Sequence, residues 1–169
     1  LEFRRVLFRS GHALETPADG WHSAIRGENG QVDRKFKSFL NVLEDARIEK
    51  KVKRKFPGLS KSFALAYKNL FDRNFFGVKN VDVNKLNLID RINLKFKVGA
   101  HMHVPFNDAE REIIKEVDQL ETWEQVEDLA SRVFNYVKEH EEDKIQTQTD
   151  LQNDQKEDRD RKSTRLNSS

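Results

Sequence analysis

Val32-Asp-Arg-Lys-Phe-Lys-Ser-Phe-Leu-Asn-Val-Leu-Glu-Asp-Ala-Arg-Ile-Glu-Lys-Lys-Val-Lys-Arg-Lys55 decides the fold. Phe36, Leu40, Leu43 and Arg47 recur at steps of three or four residues, which puts them on one face of an α-helix. Pro57-Gly58 ends that helix, and the cations Lys50, Lys51, Lys53, Arg54 and Lys55 complement the negative end of its dipole. A charged residue such as Arg47 within an apolar stripe requires a partner.

The same period continues downstream. Phe63, Tyr67, Leu70 and Phe71 mark a helix from Ser60 to Phe75, and a third is expected from Asn84 to Lys97, stopped by Gly99. Asn107-Asp108 caps a fourth that ends near Leu120. Thr122 and Gln125 have capping-box spacing for a fifth, which carries Val126, Leu129, Ala130, Val133, Phe134 and Val137. The only strand candidate is Val78 to Val83. Upstream, His12 to Thr16 is expected as a helix end stopped by Pro17, followed by the loop Ala18-Asp19-Gly20 and a loop or turn from Trp21 to Gly30. Phe75-Phe76 and the other phenylalanines are expected in the core. The fold class is therefore mainly α, an irregular bundle of about five helices.

Composition narrows the function. The 169 residues suffice for about one domain. Charged residues make up 36%, and the mean hydropathy is −0.84, which suits a modest core with a polar extension. From Glu141 onward apolar residues almost vanish, so a disordered tail is expected over 141–169. The segments 1–10 and 161–169 resemble translated adapter sequence, which leaves 11–140 as the helical domain. These two ends carry six of the 31 basic and one of the 29 acidic residues, leaving 25 against 28 and a net charge of −3 instead of +2. The pI of 8.8 is thus no argument for nucleic-acid binding, and the basic run Lys50 to Lys55 is explained by its place at a helix end. Arg4, Arg5 and Arg9 break any secretory signal in the first ten residues, and no apolar run approaches the roughly 20 residues that span a bilayer. A soluble protein without membrane association is expected.

With no cysteine, any zinc must sit on His, Asp or Glu. Zinc peptidases with a His-Glu-x-x-His helix place two histidines four residues apart on one face; the glutamate beside the first takes a proton from the metal-bound water. A carboxylate from a following helix is a common third ligand. Here Gly11-His12-Ala13-Leu14 has the look of the second half of such a helix. Four residues before His12 stands Phe8, and the glutamate position holds Arg9. On the long helix Glu44 lies roughly 80° from the centre of the apolar stripe, at the edge of the core, and Asp45 roughly 180° away. Salt bridges among Glu44, Asp45, Arg47 and Lys51 on a solvated face are the plainer reading of that segment. His101-Met102-His103 is expected in a surface loop, and Trp21 to pack beside an exposed His22.

Gly-His-Ala-Leu-x-Thr-Pro, then Asn41 to Lys50 with Lys53-Arg-Lys-Phe-Pro-Gly-Leu59 close behind, resembles the predicted zinc metallopeptidases of tailed phages, relatives of von Willebrand A and cobaltochelatase-subunit-like proteins. Leu88 to Gly99 and Val104-Pro105-Phe106 extend the resemblance, which covers about residues 11–140. It implies a fragment that begins within the zinc-binding helix, with His12 a zinc ligand and Glu44 the third. Asp45 is the alternative ligand if the helix is rotated by one position. It further implies that Arg47 orients the carboxylate or stabilises the oxyanion. Zinc is expected in the complete parent protein, a protein or peptide is its substrate, and the infected-host cytoplasm or the virion is its setting. Lacking the first histidine and the glutamate, the chain as it stands is expected to be inactive. The rival from another class is a non-catalytic phage structural or interaction domain.

Overall fold

The computed structural model describes residues 11–26 and 30–141, and 73% of these are helical, in seven helices without a strand among them. The expectations for 1–10 and for the tail beyond 141 concern residues outside that set. The helices are α1 (11–15), α2 (Ala18–Ala24), α3 (Arg34–Lys55), α4 (Leu59–Asp72), α5 (Leu88–Val98), α6 (Asp108–Gln119) and α7 (123–141). Residues through Phe134 form one unit, and a second begins at Asn135. Within the second, the Tyr136 ring stacks on His140, with centroids 4.0 Å apart.

The long helix α3 is the hub of the first unit, touching α4, α5 and α6, while α4 also packs on α5. Its start is set by Asp33, whose carboxylate accepts from the Phe36 N–H at 2.9 Å. Leu40, Leu43, Ile48, Ile92, Val117, Val126, Leu129 and Val133 are fully buried. At one side Phe36 and Phe39 both set their rings edge-on to Phe134, at 5.5 and 5.1 Å; such pairs each contribute about 0.5–1.5 kcal/mol beyond area burial. A second cluster gathers Phe63, Tyr67 and Leu70 of α4, Leu94 and Val98 of α5, and Val104.

Local signals explain most helix ends. Asn107 and Glu110 close a capping box on α6, and Asn87 caps α5 through the Asp90 N–H. Thr122 and Gln125 exchange the reciprocal bonds of a capping box before α7. Three expectations are corrected. Ala18–Ala24 is a helix, not a loop: Pro17 has φ −65°, already suited to a helix start, and Gly20 is retained because a Cβ there would lie 2.7 Å from Trp123 Nε1. Val78 to Val83 forms no strand but turns leading into the 3₁₀ segment Val83–Lys85. Finally, α4 stops at Asp72, short of Phe75. Asn74 takes a left-handed φ of 53°, and Phe75 N–H reaches the Leu70 carbonyl at 2.9 Å, a Schellman closure. Phe75 thereby leaves the core and is 69% exposed. Among the described residues no helix is long and apolar enough to cross a membrane.

Candidate functional site

α1 is held against α3 by the absence of a side chain. A Cβ on Gly11 would lie 2.6 Å from Ile48 Cγ2, closer than side chains tolerate, so glycine alone permits this approach. The contact brings the next residue, His12, over the middle of α3. There His12 Nε2 meets Asp45 Oδ1 at 3.0 Å, 33 positions along the chain. Both side chains keep a foothold at the surface, at 30% and 28% exposure. Lys97, from α5, stands 3.6 Å from the other Asp45 oxygen.

Glu44 takes a different place. It is wholly buried, and Arg47 grips it with two bonds, Nε to Oε2 at 2.8 Å and a terminal nitrogen to Oε1 at 2.7 Å. The remaining Arg47 donors reach the Glu15 carbonyl at 2.9 Å and the Glu121 carbonyl at 3.0 Å. One guanidinium thus ties the end of α1 and the turn before α7 to α3. Bonding to Glu44 is the foremost reason that the Arg47 pKa is raised above its ordinary value. Arg47 is 1% exposed and its contacts are internal, so it orients Glu44 and presents no surface to an oxyanion.

The carboxylate facing His12 is therefore Asp45, not Glu44, and Asp45 does not point into open solvent. The buried residues of α3 are Phe39, Leu40, Leu43, Glu44, Arg47, Ile48 and Glu49. Glu44 sits within this set and Asp45 at its rim, one position round from the angles that Phe36, Leu40 and Leu43 imply. Thr16, which did not stand out by spacing, joins Glu44 to His12: its hydroxyl donates to Glu44 Oε1 and lies 3.3 Å from His12 Nδ1. A hydroxyl three or four residues after a helical histidine was the available signal.

Two donors of the right chemistry for zinc converge here, a ring nitrogen and a carboxylate oxygen. Among the described residues no third His, Asp, Glu or Cys completes a metal-holding group. The described residues thus bring together two such donors and no third.

The other candidates have structural occupations. His101 lies in a turn and stacks on Phe71, with centroids 6.0 Å apart, while Trp21 packs on Trp123 at 5.7 Å with His22 exposed. The basic run borders a groove of about 350 Å³ lined by Ala46, Phe96 and Val117 among others. Its cations are paired: Lys53 with Glu49 at 2.6 Å, Lys50 with Glu121 at 3.0 Å, and Arg54 also with Glu121.

Compared with protein-family models, curated proteins and solved structures, the chain matches none.

Proposed function

We propose that this chain carries the second-histidine and acidic-ligand portion of a zinc metallopeptidase site, with Asp45 as the carboxylate. Support comes from the approach of His12 Nε2 to Asp45 Oδ1 at 3.0 Å across a contact that only Gly11 permits. The resemblance of the Gly11 to Pro17 and Asn41 to Leu59 segments to phage zinc peptidases points the same way. In the parent, zinc would be held by His12, Asp45 and a histidine four residues before His12; when bound it supplies Lewis acidity that makes water nucleophilic at neutral pH. The chain's own contribution is positional. Arg47 and Glu44 pin α1 to α3, and Lys97 steadies the far oxygen of Asp45. The substrate is a protein or peptide, met in the soluble phase of an infected cell or in the virion.

The experiment restores the missing pair with Phe8→His and Arg9→Glu. That chain should bind about one zinc, read by equilibrium dialysis with metal analysis, whereas the unsubstituted chain should bind none tightly. Adding Asp45→Asn should lower its affinity at least tenfold. Zinc uptake that is absent, or indifferent to Asp45→Asn, would overturn the proposal. A non-catalytic interaction domain is the reading left standing then, since His12, Asp45 and Lys97 already satisfy one another as a surface charge cluster.

A further inference from the structure

The surroundings of the His12 ring have a polarity of their own. On the Nε2 side lies the Asp45 carboxylate, an acceptor only. On the Nδ1 side lies the Thr16 hydroxyl, which has a single hydrogen and directs it to Glu44. Glu44 in turn is fixed by the two bonds from Arg47. The ring is thus faced by an acceptor at both nitrogens. A neutral imidazole donates from one nitrogen and opposes lone pairs at the other. Both contacts are satisfied when Nδ1 carries a proton and Nε2 carries either a second proton, as in the imidazolium, or a metal cation shared with Asp45.

We propose that Thr16 is a positioning residue: by committing its hydrogen to Glu44, it holds the His12 proton on Nδ1 and reserves Nε2 for a cation. The chain Arg47–Glu44–Thr16–His12 then gives Glu44 a role at the site without touching the metal. Metal-bound histidines commonly need such a partner on the second nitrogen to fix ring and tautomer. The relay deepens the zinc reading and rests on it for its purpose. The preference that Thr16 imposes is measured separately, without metal, in a chain where the Asp45 carboxylate no longer competes for the proton.

The test uses long-range proton–nitrogen NMR correlations of the 15N-histidine-labelled full chain without metal, at about two pH units above the ordinary histidine value of about 6.5. Asp45→Asn is used as the background, because its amide can donate to a lone pair on Nε2 or accept a proton from it and so leaves the choice to Thr16. His12 should then carry its proton on Nδ1. Adding Thr16→Val should move the proton to Nε2, and Thr16→Ser, which restores the hydroxyl, should return it to Nδ1. Circular dichroism on each variant establishes that the helices persist. If Thr16→Val unfolds the chain, Thr16→Ala takes its place in the comparison with Thr16→Ser. A proton already on Nε2 beside Thr16, or a tautomer that ignores the hydroxyl, overturns the relay. With the Phe8→His and Arg9→Glu pair present, Thr16→Val should weaken zinc binding by about 10–100-fold and Thr16→Ser only slightly. A chain that shows the tautomer switch yet takes no zinc refutes the metal reading and leaves the relay in place.

Discussion

At the scale of single residues, neighbours in sequence have opposite duties. Glu44 neutralises a buried guanidinium, and Asp45, one position on, faces a histidine at the surface. Charge burial explains why the spacing misleads. Once Arg47 is inside, its counter-charge must come inside too, and the carboxylate one turn back is nearest to hand. The need for a partner was legible from Arg47 in an apolar stripe, and Glu44 was among the salt-bridge partners read there; that the pair would be wholly buried, not set on a solvated face, was not. The two residues should therefore separate under mutation. Glu44→Gln leaves Arg47 buried without its counter-charge and should cost about 3–5 kcal/mol of stability. Asp45→Asn disturbs a partly exposed pair and should cost about 0–1 kcal/mol. Urea denaturation followed by circular dichroism measures both, and equal losses would mean that Glu44 is not the structural partner assigned to it.

Among the elements, those helices whose caps and periodicity agree were legible to within a few residues. α3 and α6 are the clearest, with Asp33 and Asn107 at their starts. α2 was hidden because Pro17 and Gly20 both read as breakers. Each is tolerated for a reason outside the local sequence: the proline stands at the start, and the glycine lies under Trp123. The packing of α1 on α3 depends on a similar omission. Gly11→Ala should push α1 away from Ile48, costing about 1–3 kcal/mol as an overpacked contact and loosening His12 from Asp45. Ile48→Ala added to Gly11→Ala should recover part of the loss, because the methyl that collides is removed. A double-mutant cycle with no coupling would show that the helices do not meet at this point.

Across the main unit, carboxylates on different segments are joined to cations of α3 and α7, and this predicts how the fold responds to acid. Arg54 and then Lys50 hold Glu121 at a pKa of about 2, below its ordinary 4.5. Lys51 lowers Glu15, and Arg132 lowers Glu116. All three bind a proton more readily in the unfolded chain than in the folded one. Their contribution is therefore complete above the unfolded value and declines as pH falls from about 5 toward 2. Arg47, raised from an already high value, stays charged throughout and adds no slope there. The pairs are exposed enough for salt to screen them, so the same decline should flatten at high ionic strength, where the Debye length falls to about 3 Å at 1 M. Replacing Glu121 by Gln removes the most strongly lowered of these three carboxylates and should leave a shallower acid limb in low salt. Denaturation midpoints taken between neutral pH and pH 3, for the parent and Glu121→Gln, decide the matter. Coincident acid limbs would place the acid sensitivity elsewhere, with Glu15, which ties α1 to α3, or Glu116, which ties α6 to α7.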